Sequence, residues 1–315
     1  MTCESEIAAR GASFHINGKA FAPGGAPVPA SGCSLADASD YCRRLAAAHY
    51  ENFTVASWLL PSELRPHFCH VYAYCRWADD LADETGSPEQ SLALLDAWER
   101  ELDRCYAGEV EHPVFVALRQ TIVEFDIPRQ PLADLLAAFR QDQTTTRYDS
   151  AEQLLDYCRR SANPVGRLVL YLARAHDAQT RSLADSICTG LQWINFCQDV
   201  AGDWDRGRIY LPASTWREVG CDESVFERRL AAPEFREGLR REVARAEGFL
   251  EAGWPLVDLA PRAVRLSIAL FLLGGLAAVA AVRSVDYNVW TGRPRVSAAR
   301  KLALLVKAWR RSSIA

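Results

Sequence analysis

Two acidic segments carry the residue types in this sequence that could do chemistry. The first, RWADDLADE at residues 76–84, places four carboxylates within nine residues, and the second, QWINFCQDVAGDWDRGRIYLP, spans residues 192–212. Unpaired carboxylates turned toward a low-dielectric interior would take up protons or repel each other, so they need cations. Oxygen ligands without His or Cys favour Mg²⁺, which commonly binds one or two carboxylates together with phosphate oxygens of a substrate.

The first segment ends a longer helical pattern. One stripe runs at steps of three and four through Phe68, Tyr72, Cys75, Asp79 and Asp83. Asp79 and Asp83 are therefore predicted to point toward the core, with Asp80 about 100° to the side, next to Arg76. Glu84 is predicted to face water.

The second segment contains a polar ridge inside an otherwise apolar helix. The ridge runs through Gln192, Asn195, Asp199 and Asp203 at steps of three, four and four. A single aspartate pair at this spacing is more often solvated than functional. Two such stripes, each bordered by apolar residues, are harder to explain as solvated surface.

Together the two stripes suggest one kind of reaction. Facing each other across a helical barrel, they could hold a cluster of Mg²⁺ ions against a diphosphate and withdraw charge as its C–O bond breaks. The allylic carbocation left behind needs an apolar, largely dry cavity with aromatic walls. The chain has 12 Phe, 10 Tyr and 9 Trp from which to build them.

The elements that must position these residues are helices. Residues 1–33 include GKAFAPGGAPVPASG and are predicted to form a flexible arm outside the fold. From residue 34 to 315 the apolar spacing is helical nearly everywhere, which predicts one all-α domain. Helix breaks are predicted at Pro61, Gly86 to Pro88, Gly108 to Pro113, Pro128, Pro164, Pro212, Pro233, Pro261 and Gly292 to Pro294.

Composition excludes several classes of protein. A formal net charge of -4 gives no electrostatic footprint for nucleic acid. Ten cysteines without a CxxC pair are predicted to be reduced and buried in a cytosolic protein, and no signal peptide is recognisable. The uncharged run at 266–282 favours a buried central helix, while membrane insertion and contact with a lipid substrate stay open.

At the two acidic segments the chain resembles the squalene/phytoene synthase family, all-α enzymes that join two prenyl diphosphates head to head. The specific matches are YAYCRWADDLAD and the second segment through its Arg-x-Tyr-Leu-Pro, and the resemblance runs from residue 49 to the C-terminus. It implies an isoprenoid synthase fold, with helices around a central apolar cavity, and a cluster of Mg²⁺ ions assembled with the substrate diphosphate.

The resemblance also implies site residues. The implied metal ligands are Asp79, Asp80, Asp83, Asn195, Asp199 and Asp203, and the implied catalytic residues are four of these acids, Asp79, Asp83, Asp199 and Asp203, together with Tyr72 and Tyr157. The implied substrate-binding residues are His49, Asn52, Phe53, Arg76, Val165, Gly166, Gln192, Gln198, Arg208 and Tyr210. Planar guanidinium groups suit a departing diphosphate.

Within the family, three features are more similar to bacterial hydroxysqualene synthases of the hopanoid pathway: HYENFTVASWLLP at 49–61, SANPVG at 161–166, and Gln198 where most relatives have arginine. The implied reaction is ionisation of presqualene diphosphate, cation rearrangement and capture by water, by a carbon–oxygen lyase without NADPH. Synthesis of presqualene diphosphate or squalene from farnesyl diphosphate, or of phytoene, by a prenyltransferase stays open.

The implied partner is presqualene diphosphate, and nucleic acid is not expected. The expected location is the cytoplasm, with peripheral attachment to the inner membrane and contact with other enzymes of the squalene pathway left open. A different class of protein, a metal-free helical assembly factor, is opposed by the intact acids at 79, 83, 199 and 203.

Overall fold

The structure is a computed structural model that describes residues 15–16, 19–20, 32–48, 60–297 and 303–308. Helices form almost all regular structure in these residues, which confirms the predicted all-α class. The chain divides into two compact units, residues 1–144 and 145–315. The single domain over residues 34–315 stays a prediction.

The predicted N-terminal arm lies mostly outside the described residues. Within it, β1 (His15–Ile16) pairs antiparallel with β2 (Lys19–Ala20), and His15 lies opposite Ala20. A ladder of two residues on each strand is too short to change the fold class.

The first unit contains five described helices: α1 (Leu35–Ala48), α2 (Arg65–Asp83), α3 (Pro88–Ala107), α4 (Pro113–Phe125) and α5 (Arg129–Asp142). Pro88 and Pro113 occupy the first helical positions of α3 and α4, where the missing N–H leaves no hydrogen bond unmade. Gly108 ends α3 with φ 93°, a left-handed conformation that favours glycine. The predicted breaks in this unit are therefore confirmed.

Aromatic side chains fill the core of the first unit. The rings of Trp77 on α2 and Trp98 on α3 stack with centroids 5.2 Å apart, and both side chains are fully buried. The Trp77 indole N–H donates to the Tyr41 hydroxyl at 3.0 Å, and the Tyr74 hydroxyl donates to the Leu132 carbonyl at 3.0 Å. The polar ends of Trp77 and Tyr74 thus have partners outside α2, and with the Trp98 stack α2 is held from three sides.

The second unit contains the helices α6 (Ala151–Ser161), α7 (Asn163–Leu172), α8 (Ala178–Gln198), α9 (Val200–Asp205), α10 (Ala213–Glu218), α11 (Ser224–Glu227), α12 (Pro233–Ala252), α13 (Leu256–Leu259) and α14 (Arg262–Ser284). Residues 303–308 are also helical. The predicted breaks at Pro164, Pro212, Pro233 and Pro261 all fall at the start of a helix.

Close helix approach at glycines holds the second unit together. A Cβ at Gly190 on α8 would lie 2.8 Å from Leu250 Cγ and 3.0 Å from the Ala246 carbonyl oxygen, both on α12. A Cβ at Gly275 on α14 would lie 2.9 Å from Leu191 Cδ2. Helix α8 is therefore packed from two sides at distances that larger residues would prevent.

Helix α14 contains the uncharged run that the sequence left open. Among the described residues it is the one helix whose length and apolarity would suit a membrane span, and 61% of its most apolar window is buried inside the protein. Its contacts with α8 and α12 account for that burial. Most of the window is thus buried, as predicted, while the central position of this helix stays a prediction.

Candidate functional site

The first acidic stripe lies on the last turns of α2. The helix end is held by two side chains that donate to the Ala82 carbonyl: Ser91 Oγ at 2.9 Å and Gln143 Nε2 at 3.3 Å. Both side chains donate a hydrogen bond to a carbonyl oxygen that has no donor within α2, because it lies in the last turn of the helix. The turn that carries the aspartates is thus fixed from outside the helix.

Burial on this turn differs from the sequence prediction. Asp80, predicted to lie to the side, is fully buried, whereas Asp79 keeps 42% of its side-chain surface and Asp83 is exposed. The prediction that Asp83 points into the core was therefore wrong, whereas Asp79 is half-buried. The reason is the width of the buried face of α2, which includes Trp77, Ala78 and Leu81 and extends beyond the predicted stripe.

Arg76 offsets part of the negative charge of this turn from one turn back on the same helix. Its guanidinium makes an ion pair with Asp80 and another with Asp79 at 3.1 Å. Burial nevertheless raises the pKa of Asp79 and of Asp80 to about 6, and the nearby Arg76 opposes that rise. Asp80 Oδ2 is buried without a hydrogen-bond partner, so one cation does not satisfy these carboxylates.

The second stripe is interrupted at Asp199, where α8 ends. The Asp199 N–H donates to the Asn195 carbonyl at 2.9 Å, and the Asp203 N–H donates to the Asp199 carbonyl at 2.8 Å. The step of four thus continues across the break into α9. Asn195 is exposed, Gln192 and Asp203 are half-buried, and Asp199 keeps 32% of its side-chain surface.

The arginines near the second stripe offset the negative charge of Asp199 and Asp203 only in part. Burial raises the pKa of Asp203 to about 7, the Asp199 carboxylate adds to the rise, and Arg206, Arg208 and Arg293 oppose it. Burial also raises the pKa of Asp199, against the effect of Arg293 and Arg206. The Arg293 Nε atom lies 2.9 Å from Asp199 Oδ1.

Aromatic rings pack beside the second stripe. Tyr210 stacks on Phe196 with centroids 4.2 Å apart and on Tyr148 at 5.8 Å, and Tyr157 lies 5.7 Å from Tyr210. Tyr210 is brought there because the Ile209 N–H donates to the Thr146 carbonyl at 2.9 Å. The structure thus brings the predicted Tyr157 and Tyr210 together and adds Phe196 and Tyr148.

The remaining predicted residues have varied surroundings. Tyr72 is half-buried, and burial raises its pKa. Val165 is 46% exposed, whereas Gly166 lies against α8, where a Cβ would come within 2.6 Å of Cys188 Sγ. Arg208 is half-buried, and its N–H donates to the Asp203 carbonyl at 2.8 Å. His49, Asn52 and Phe53 lie outside the described residues.

Two neighbouring residues at the end of α8, Gln198 and Asp199, have partners that the sequence did not indicate. Gln198 is buried, and its Nε2 donates at 2.6 Å to the carbonyl of Pro294, 96 residues further along. Arg293, the residue before this proline, was not predicted as a site residue. Sequence spacing gave no signal for either contact, because both depend on how the chain returns after α14.

The donor set suits a hard divalent cation. Carboxylate and amide oxygens predominate, burial raises the pKa of Asp79 and Asp203, and Asp80 Oδ2 has no hydrogen-bond partner, so the nearby arginines offset this negative charge only in part. Among the described residues, no three His, Cys, Asp or Glu side chains form a cluster that would hold a metal ion unaided. The residues therefore fit Mg²⁺ only as an ion that takes other ligands from water or substrate phosphates.

Comparison with known proteins places the chain in a family. The family model described as squalene/phytoene synthase matches residues 34–300. The structure is similar to the crystal structure of squalene synthase HpnC from Alicyclobacillus acidocaldarius, with a TM-score of 0.78. The two sequences are 42% identical, and the match covers 81% of this chain and 96% of that one.

Two further relatives agree. A dehydrosqualene synthase crystallised with a ligand is 25% identical with a TM-score of 0.82, over 89% of this chain and 98% of that one. The chloroplastic phytoene synthase of Narcissus pseudonarcissus is 30% identical over 90% of this chain and 69% of its own length. The chain therefore belongs to the squalene/phytoene synthase family, whose members are enzymes that act on prenyl diphosphates.

Proposed function

We propose that this protein is a hydroxysqualene synthase. It would ionise presqualene diphosphate, let the cyclopropylcarbinyl cation rearrange, and add water to give hydroxysqualene and diphosphate, which is the work of a carbon–oxygen lyase. One observation carries the squalene-type choice: identity is 42% with the squalene synthase HpnC but 30% with the Narcissus phytoene synthase.

The acidic stripes would hold the metal. The family uses divalent metal, and in this chain the proposed Mg²⁺ ligands are Asp79, Asp83, Asn195, Asp199 and Asp203. When bound, Mg²⁺ offsets the charge of the departing diphosphate. Asp80 stays in the ligand set of this proposal, although its pairing with Arg76 also gives it a structural reason to be buried.

Two arginines, Arg76 and Arg208, would also bind the leaving group. Arg76 and Arg208 each present a planar set of N–H donors that suits a phosphate group and stays charged at any working pH. Both are half-buried, so their charges are screened less than those of exposed arginines. Their proposed task is to orient the diphosphate and retain it after the C–O bond breaks.

Aromatic side chains would protect the cation. The faces of Phe196, Tyr157 and Tyr210 carry partial negative charge, and these rings are buried together beside Asp199 and Asp203. Tyr72 would stay a neutral phenol, because burial raises its pKa above the ordinary value. Neutral aromatic walls stabilise positive charge without attacking it as a nucleophile.

The product depends on finer features. The proposed product rests on three features that resemble bacterial hydroxysqualene synthases: residues 49–61, residues 161–166 and Gln198. In the second stretch, Asn163 is buried and its Oδ1 accepts from Thr189 Oγ1 at 3.0 Å, so the Asn-Pro pair helps seat α7 on α8. Capture by water needs no electrons, so NADPH is not part of this proposal.

Phytoene synthesis is the second candidate, since the curated relatives of the chain include phytoene synthases such as that of Synechococcus elongatus, 27% identical over 89% of this chain. That reaction, like squalene synthesis from farnesyl diphosphate, is a prenyl transfer. We place either activity in the cytoplasm and propose no membrane anchor.

A product assay separates these candidates. The purified protein with Mg²⁺ receives presqualene, farnesyl or geranylgeranyl diphosphate in turn, each with and without NADPH, and products are identified by mass spectrometry. Hydroxysqualene from presqualene diphosphate without reductant is expected. Squalene or phytoene as the main product would overturn the proposal.

A further inference from the structure

The last turn of α6 carries a hydroxyl group one helical turn beyond Tyr157. Leu154, Tyr157 and Ser161 follow one another on the same face of this helix, and the first two side chains are buried. Ser161 Oγ is also buried, and among the described residues it has no hydrogen-bond partner. We propose that this hydroxyl holds the water molecule that captures the carbocation. Water capture belongs to the proposed function, on which this inference therefore rests.

The folding of α6 does not explain the Ser161 hydroxyl. A serine in a helix can donate to the carbonyl four residues back, which here is that of Tyr157, but Ser161 Oγ makes no such bond. The helix ends through its backbone, since the Ala162 N–H donates to the Cys158 carbonyl at 3.0 Å. A buried hydroxyl without a partner costs stability. A bound molecule that exchanges a hydrogen bond with it would remove that cost.

Contacts on either side of Ser161 fix where it lies along α8. Before it in the chain, the Tyr157 ring lies with its centroid 6.3 Å from that of Phe196. After it, Asn163 Oδ1 accepts from Thr189 Oγ1 at 3.0 Å. Ser161 therefore lies opposite the part of α8 between Thr189 and Phe196.

That part of α8 supplies a second polar group, the amide of Gln192. Gln192 and Ser161 are both half-buried, so a rotation of the serine about its Cα–Cβ bond would bring its hydroxyl within reach of a water molecule. A water held in a largely apolar site needs at least two polar partners. The serine hydroxyl and the amide oxygen would each accept one hydrogen of the water, which leaves a lone pair of its oxygen free for the cation.

The aromatic rings near Ser161 restrict where water binds. Tyr157, Phe196 and Tyr210 are buried and lie against one another. Their faces offer no strong hydrogen bond, so a water is held where a hydroxyl or an amide is present. The position of Ser161 would thus decide which carbon of the cation is attacked.

The capture step balances without a further reagent. The water oxygen uses one of its electron pairs to form a C–O bond with the cationic carbon, which gives a protonated alcohol. This alcohol loses its extra proton to an oxygen of the diphosphate that the ionisation released. Ser161 only accepts and donates hydrogen bonds, and it forms no covalent bond with the substrate.

The test measures how the cation is divided between alcohol and hydrocarbon, since a cation that meets no water loses a proton instead. The wild-type protein and Ser161→Ala receive presqualene diphosphate and Mg²⁺ without NADPH, and products are compared by mass spectrometry at equal substrate consumption. The ratio of alcohol to hydrocarbon should fall about threefold to tenfold in Ser161→Ala, the usual value of one lost hydrogen bond. Ser161→Thr keeps a hydroxyl and should restore most of the ratio.

Ser186 on α8 provides the matched control. Its Oγ donates to the Phe249 carbonyl at 2.8 Å, so it has the structural partner that Ser161 lacks. Ser186→Ala should lower the melting temperature and keep the product ratio of the wild-type protein. Ser161→Ala should not lower the melting temperature, because its hydroxyl makes no bond that folding requires.

Two results would overturn the inference alone. One is an unchanged product ratio in Ser161→Ala, and the other is an equal fall in Ser161→Ala and Ser161→Thr, which would show that the hydroxyl is not the group that matters. A wild-type protein that makes no alcohol from presqualene diphosphate would overturn the proposed function together with this role of Ser161. The two failures are therefore distinguishable.

Discussion

The two acidic stripes obtain their counter-charges in different ways. On α2, Arg76 lies three and four residues before Asp79 and Asp80, so acid and base come from one helix. At the end of α8, the cation of Asp199 is Arg293, which reaches it from the segment after α14. The ion pairs of the first stripe thus follow from the spacing of residues within one helix. The ion pair of the second stripe forms only when the second unit has folded.

The largest expected effect is common to both stripes. Asp79→Ala and Asp199→Ala should each lower the rate of prenyl diphosphate turnover by about a hundredfold or more, because a group that stabilises developing charge is lost. Turnover is measured with the substrate that the product assay identifies. Circular dichroism should show an unchanged helical spectrum.

Exposed acids next to each stripe serve as controls for these variants. Glu84→Ala and Asp205→Ala should retain turnover close to that of the wild-type protein, since both side chains are exposed and neither is a proposed ligand. Full activity in Asp79→Ala or in Asp199→Ala would remove the metal-binding argument for that stripe.

The next effect is a difference between the two stripes in how much their ion pairs contribute to the free energy of unfolding. Asp80→Ala removes the buried partner of Arg76 and should lower the free energy of unfolding by about 2–3 kcal/mol, because Arg76 is then only partly compensated. Arg293→Ala breaks an exposed pair and should change it by less than about 1 kcal/mol. Urea denaturation measures both, and equal effects would contradict the difference between the stripes.

A smaller effect is the pH dependence of folding stability that arises from histidines of the first unit. His70 lies against Thr121 Oγ1 at 2.8 Å, Ser39 Oγ at 3.1 Å and the ring of His67, and burial lowers its pKa to about 4. His67 itself pairs with Glu124, and burial lowers its pKa. Between pH 6.5 and 4 the unfolded chain binds the additional proton on His70, so stability falls as the pH falls.

The size of this effect can be measured. Lowering the pH from 7 to 5 should reduce the free energy of unfolding by about 2 kcal/mol through His70, as 1.36 kcal/mol per pH unit implies. His70→Gln has no imidazole to protonate and should lose that part of the pH dependence. An identical slope in the wild-type and variant proteins would show that His70 is not responsible.

The smallest effect concerns the packing of α8. Gly190→Ala forces a methyl group toward Leu250 and Ala246 and should destabilise the protein by about 1–2 kcal/mol. Gly248→Ala on α12 meets no atom within 4 Å and should stabilise it by about 0.5 kcal/mol, because alanine favours helix. Thermal unfolding of the pair measures both, and a stabilised Gly190→Ala would show that α8 is not closely packed.

The contrast between the stripes also explains how far sequence reasoning reached. Proline and glycine positions predicted the helix breaks, and the step of four from Asn195 through Asp199 to Asp203 was found in the backbone, since both are local properties. Asp80 was misplaced because the buried width of α2 depends on the helices around it. The contacts of Arg293 and Gln198 were missed because each joins positions far apart in the chain.

The break at Asp199 has an electrostatic consequence of its own. Helix α8 runs 21 residues and ends at Gln198, so the partial negative charge of its dipole falls where Asp199 caps the helix and Asp203 follows. Carboxylates are usually favoured at the opposite end of a helix. Here the helix dipole and the two carboxylates place negative charge at the same point. The end of α8 therefore attracts cations, whether guanidinium or metal, before any diphosphate arrives.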